Sequence, residues 1–137
     1  MANYDEDRIP QILKESRKIA VVGISDKPER DSYRVAKYLK AHGYEILPVN
    51  PVLESWDGQT VYKSLLDIPE GTGIDVVDIF RKSEAVPQIV EESIRIKPWA
   101  VWLQEGVVND EAAEAAKKGG LLVVMDRCMM KEHGKLA

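Results

Sequence analysis

Residues 18–23 read KIAVVG, a lysine, four apolar residues running through both pleat phases, and a glycine. A strand apolar in both phases belongs inside a sheet that is covered on both faces. The next segment changes period. Ser32 to His42 places Val35, Ala36 and Leu39 on one helical face, and Gly43 follows as a stop. The same couple recurs along the chain. Residues 44–49 end at Asn50-Pro51; 74–80 (IDVVDIF) lead to a helix from Ser83 with Val86, Ile89, Val90 and Ile94 in one stripe and Pro87 in its first turn. Residues 99–103 lead to an Ala-rich helix capped by Asn109 and stopped at Gly119-Gly120, and 121–125 close the series. We number these strands β1 to β5. Helical connections between buried strands require a parallel sheet with right-handed crossovers. The reading is α/β: a Rossmann-like, doubly wound, parallel five-stranded sheet, expected order 3-2-1-4-5. Residues 5–16, with Ile9, Ile12 and Leu13 at i, i+3, i+4, predict an N-terminal helix packed on the body. The stretch from Asn50 to Pro69 is irregular and rich in turn residues, with a short helical or extended piece expected around 62–66.

The chain has 137 residues, 19 Lys+Arg against 23 Asp+Glu, and one Cys. That length fits one domain, 1–137, which buries roughly 68% of its unfolded surface and needs no disulfide or metal staple. The longest apolar runs fall far short of the ~20 residues of a membrane span, and the first seven residues are acidic where a signal peptide would be basic and then apolar. A mildly acidic chain of mixed charges has no basic field with which to grip nucleic acid. The expectation is a cytoplasmic protein with neither nucleic acid nor membrane as partner.

In a doubly wound sheet ligands bind outside the carboxyl ends of the strands, at the switch point, here expected between β1 and β4. Those ends are 23–25, 50–51, 80–81, 104–106 and 126–128. A dinucleotide fold writes G-x-G-x-x-G after β1; this chain writes Gly23-Ile-Ser25-Asp-Lys-Pro28, with one of the three glycines, and ends β2 in Asn50 rather than an acid. No P-loop motif occurs. The loop still suits an anion: Lys27, Arg30 and Arg34 crowd the start of a helix, where acids are usual and free N–H groups cradle phosphate. The competing reading is a solvated turn neutralised by Asp26, Glu29 and Asp31, with Asp31 or Ser32 as a plain N-cap.

The blocks VVGISDKPERDSYRVAKYL, GYEILPVNP, VDIFRKSE, VWLQEGVVN and VVMDRCMMKEH, in this order from about 18 to 133, resemble the small stand-alone CoA-binding proteins, which are similar to the N-terminal nucleotide-binding domain of the succinyl-CoA synthetase alpha subunit. The resemblance implies a coenzyme A or acyl-CoA ligand. It places phosphates on Gly23, Ser25, Pro28, Arg30 and Ser32, the adenosine side on Asn50 and Pro51, and Phe80-Arg81 on the adjacent loop. The full candidate set adds Ile24, Lys27, Tyr33, Gln104, Gly106 and Cys128. The phosphohistidine-bearing domain of the synthetase is absent from this chain, so no catalytic residue is assigned and the implied role is a binding or regulatory module, its protein partner unknown. An NAD(P)-dependent oxidoreductase and a subunit completing an acyl-CoA enzyme are the alternatives.

His42 and His133 have no metal or triad partner at motif spacing and read as surface residues; no metal site is expected. Glu105 reads as a loop charge or as an acid beside the crevice. Trp99, Trp102 and Met125 read as core. Cys128, beside Arg127 and Asp126, is either a small buried side chain or a thiol within reach of an extended pantetheine arm.

Overall fold

The computed structural model describes residues 4–136; residues 1–3 and 137, the ends of the expected 1–137 domain, lie outside the described residues. The five expected strands form, each slightly shorter than read: β1 Lys18–Val22, β2 Glu45–Val49, β3 Val76–Ile79, β4 Ala100–Leu103 and β5 Leu122–Val124. The helices are α1 Ile9–Glu15, α2 Asp31–Ala41, α3 Val86–Ile96, α4 Asp110–Lys118 and α5 Met129–Gly134. Asn109 caps α4 as expected, its side chain accepting from the Ala112 N–H at 2.9 Å. All four strand pairings are parallel.

The strand order differs from the expected 3-2-1-4-5. It is 2-1-3-4-5, with β3 inserted between β1 and β4 and β2 at the edge. The physical reason is Pro48. A proline lacks the N–H a central strand needs, which confines it to an edge. Pro48 turns its carbonyl outward to the Tyr62 N–H at 3.0 Å, so its missing donor faces away from β1. The switch point accordingly lies between β1 and β3, not between β1 and β4.

Side chains alternate between two layers. Val21, Val76, Trp102 and Val124 pack with Val35, Ala36 and Leu39 of α2, with α1, and with Met129 of α5. Val22, Val77, Ile79 and Leu103 pack with Val86 and Val90 of α3 and the alanines of α4. Two short features were not read from the sequence. Ser55–Trp56 and Gln59–Thr60 form a hairpin over Asp57-Gly58, and α5 replaces what reads as a tail. The piece around 62–66 is one bridge from Tyr62 to Val49 followed by a 3-10 turn at Leu65–Asp67. No helix among the described residues is long and apolar enough to cross a membrane.

Candidate functional site

The correct strand order brings the end of β1 directly beside the end of β3. Gly23 sits at φ +86° with its N–H donated to the Val49 carbonyl at 2.9 Å. A Cβ there would collide with the Phe80 carbonyl oxygen and stand 2.8 Å from Arg81 Cδ. Glycine is required twice over, by the left-handed conformation and by the close approach of the neighbouring loop. Beyond it the chain turns through 24–30 and enters α2.

The turn is held from inside by side chains. Ser32 Oγ accepts from the Ser25 N–H at 3.0 Å, and Ser25 Oγ accepts from the Lys27 N–H at 3.1 Å. Asn50 Nδ2 donates to the Ile24 carbonyl at 2.8 Å while its Oδ1 accepts from the N–H groups of Val52 and Leu53 at 2.7 and 3.0 Å. Trp56 Nε1 of the hairpin donates to the Ser25 carbonyl at 3.0 Å. Ser32 is therefore a loop staple rather than an N-cap, and α2 begins with no side-chain cap at all. Its first N–H groups, which have no carbonyl within the helix, begin at Asp31 and Ser32, and both residues line a cleft of about 510 Å³ together with Gly23, Ser25, Arg30, Asn50 and Phe80, among others.

The charges around this cleft are unequally satisfied. Arg34 is taken by Asp31 and by the Glu29 carbonyl, the latter at 2.7 Å. Among the described residues, Lys27, Arg30 and Arg81 make neither an ion pair nor a side-chain hydrogen bond. The picture of a fully neutralised turn thus holds for Arg34 alone.

A second cleft of about 580 Å³ meets the first at Asp31 and Phe80. Its walls include Val35, Arg81, Gln104, Val107, Cys128 and Met130, and the Glu105–Lys131 ion pair of 2.9 Å stands at its rim. Gln104 and Cys128, from the ends of β4 and β5, are thus brought together, along a path that starts at the β1 loop. Cys128 is 8% exposed and precedes α5.

Ile24 lines the first cleft while its side chain packs in the core. The remaining sequence candidates lie elsewhere. Tyr33 packs edge-on against Trp56 at 6.1 Å. Pro28 is exposed and lines neither cleft. Pro51 lines a separate hollow of about 210 Å³ that also touches Lys63 and Arg81. Gly106 donates its N–H to Asp126 Oδ1 at 2.7 Å. His42 is exposed, whereas His133 is half-buried, bonded through Nδ1 to the Tyr38 hydroxyl at 2.9 Å, with its pKa lowered by burial and by the neighbouring His42. No cluster of three or more His, Cys, Asp or Glu suits a metal among the described residues.

Sequence reasoning missed one group outright. Asp78 stands in the middle of β3 at 0% exposure with no cation beside it. Its Oδ1 accepts from Gln104 Nε2 at 2.5 Å, and its Oδ2 has no partner. Burial pushes its pKa up to about 7, against the lowering effect of the Gln104 bond. The signal was present, since an acid inside a run apolar in both phases must be buried.

Comparison with known proteins converges on this architecture. A family model described as a CoA binding domain matches residues 17–134. An uncharacterized protein of Bacillus subtilis is 41% identical over 133 residues, covering 97% of each chain. A hypothetical protein of Pyrococcus horikoshii, solved as a structure, superposes with a TM-score of 0.91 at 46% identity, over 98% of this chain and 93% of that one. The alpha subunit of an ADP-forming acetate–CoA ligase I of Pyrococcus furiosus is 30% identical over 130 residues; the match covers 83% of this chain and only 28% of the ligase subunit. With a family match that takes in every strand of the sheet and both clefts at its carboxyl edge, this chain belongs to the CoA-binding domain family.

Proposed function

We propose that the protein binds coenzyme A or an acyl-CoA, with the phosphates over the β1–α2 turn and the pantetheine arm running into the second cleft, as a cytoplasmic binding or regulatory module without a catalytic residue of its own. The observation that carries this reading is the cleft at the uncapped start of α2, where Lys27 and Arg30 stand without anionic partners beside free main-chain N–H groups. An anion answers both features, since a helix start offers N–H donors and a positive dipole end to phosphate. The family match favours CoA among phosphate-bearing ligands.

The nicotinamide alternative loses its ribose contact. Every hydrogen-bonding atom of the Asn50 amide group that the loop uses is turned inward, to Ile24, Val52 and Leu53, where a dinucleotide enzyme would offer a carboxylate outward. The test is thermal melting and calorimetric titration with CoA, acetyl-CoA, NAD and ATP side by side. A ligand that binds only the native state stabilises it by RT ln(1 + [L]/Kd). CoA should raise Tm and NAD should not; no shift with millimolar CoA, or an equal shift with NAD, overturns the reading.

A further inference from the structure

The buried Asp78–Gln104 pair has no role in holding the phosphate turn, yet it opens on the second cleft. Gln104 follows β4, and its backbone is fixed on both sides: its N–H donates to the Ile79 carbonyl at 3.3 Å and its carbonyl accepts from the Val107 N–H at 2.8 Å. The residue is 3% exposed and lines the cleft. Nε2 is committed to Asp78 at 2.5 Å. Oε1 makes no hydrogen bond among the described residues and is not among the buried, unpartnered atoms, so it is the atom that meets the cleft.

Elementary hydrogen-bond chemistry ties the two residues together. An ionised carboxylate only accepts, so it must take the amide N–H₂ and thereby turn the amide oxygen outward. A protonated carboxyl carries a donor, which the amide oxygen can accept; the amide then turns and presents its N–H₂ to the cleft. The unpartnered Oδ2 means that nothing else in the interior holds Asp78 in one protonation state. We infer that Asp78 is a positioning residue which sets Gln104 Oε1 as the acceptor for an amide N–H of the pantetheine arm, and that proton uptake by Asp78 withdraws this acceptor and weakens binding of the arm. This rests on the CoA reading above and adds to it a specificity contact and a pH dependence.

Burial brings the titration of Asp78 to about 7, within the range a cell can reach. The ionisable groups facing the same cleft are Asp31 and Arg34 of α2, Arg81 and Lys82 after β3, Glu105 after β4, and Cys128 and Lys131 at α5. None of them contributes to the Asp78 shift, whose causes are burial and Gln104 alone.

The experiment compares two ligands that share all their phosphates. CoA and a truncated form of it, 3′-phospho-ADP with a methyl ester on its terminal phosphate so that every phosphate has the same ionisations as in CoA, are titrated by calorimetry at pH 5.5–8.5, and the ratio of their affinities is followed. Phosphate ionisation and loop electrostatics cancel in that ratio; only the arm remains. The wild type should gain about three- to tenfold in the ratio from the acid to the alkaline side, the range expected of one neutral hydrogen bond. Asp78→Asn should flatten the profile. Gln104→Met, which keeps the volume and removes the amide, should hold the ratio at the low value throughout and serves if Asp78→Asn does not fold. A ratio independent of pH in the wild type, or an unchanged profile in Asp78→Asn or Gln104→Met, overturns the inference while leaving CoA binding intact. Failure of both ligands to bind overturns the CoA reading and this inference with it.

Discussion

Gly23→Ala tests the closeness of the β1 and β3 loops on which the whole site depends. Two penalties act at that position. An alanine at φ +86° carries the left-handed strain of an L-residue, about 1–2 kcal/mol. It also places a methyl group against the Phe80 carbonyl oxygen and within 2.8 Å of Arg81 Cδ; overfilling of this kind costs about 1–3 kcal/mol, because backbone must move. Gly43→Ala supplies the internal control. Gly43 has φ +96°, yet a Cβ there meets nothing within 4 Å, so only the strain applies. Both variants recover about 0.4–1 kcal/mol from the stiffer unfolded chain. The net expectation is a loss of about 0–1.5 kcal/mol for Gly43→Ala and about 1–4.5 kcal/mol for Gly23→Ala, the collision adding about 1–3 kcal/mol at Gly23. Equilibrium urea unfolding with matched m-values reads the difference, and calorimetry on the folded Gly23→Ala variant should show weakened CoA binding as Phe80 and Arg81 are pushed aside. Equal destabilisation by the two substitutions would refute the reasoning, since the collision would then contribute nothing.

Arg30→Ala should weaken CoA by about 1.5–3 kcal/mol, the worth of a charge-assisted hydrogen bond to phosphate, and leave Tm of the free protein unchanged, because this exposed side chain supports no core; an unchanged Kd by calorimetry would return the loop to a solvated turn. Asp78 makes stability fall as pH rises: between the usual 3.8 and about 7 the folded protein keeps a proton that the unfolded chain has released, at an upper limit of roughly 4 kcal/mol. Chemical denaturation should therefore show Asp78→Asn gaining on the wild type from pH 4 to pH 8, and a constant difference would contradict the burial assigned to that carboxyl. Cys128, 8% exposed, should react slowly with iodoacetamide and more slowly still with acetyl-CoA bound, whose acylated sulfur does not consume the reagent, whereas 3′-phospho-ADP, which lacks the arm, should leave the rate unaltered; equal protection by both ligands would place the arm elsewhere.

The elements were legible because hydrophobic period reports burial, and burial here is two-sided for strands and one-sided for helices. The order of the strands was not, because all of them look alike to that criterion. The one residue that breaks the symmetry is Pro48, which marks β2 as an edge and excludes any order that places it between two neighbours. The hairpin at 55–60 was announced by Asp57-Gly58, a strong two-residue turn signal, and both residues do adopt positive φ; its strands of two residues are too short to show any alternation. α5 leaves no periodic trace for a similar reason. Six residues cannot form a stable helix alone, and α5 is held instead by Met129, fully buried against α1 and α2, and by the Tyr38–His133 bond.

The candidate site was legible in the sequence to the extent that position along a strand decides it. Gly23, Arg30, Ser32, Phe80 and Gln104 follow from the rule that ligands gather at carboxyl ends. What each polar side chain does there depends on neighbours that only the assembled sheet supplies: Asn50 and Ser32 turn inward to hold the turn, while Lys27 and Arg30 stay free. Asp78 is the sharpest case. The run 74–80 by itself says that an acid is buried, and a buried acid calls for a partner. The register pairs Asp78 with Trp102, so Gln104, two residues further along the chain and just past the end of β4, falls on the same face and within reach. In the order 3-2-1-4-5 the two strands would not touch, and Asp78 would lose this donor. Pro48 excludes that order and the hydrogen bond on Asp78 Oδ1 needs β3 beside β4, so the two observations agree on one sheet, and the polar atom left over from that bond, Gln104 Oε1, is the one that opens on the cleft.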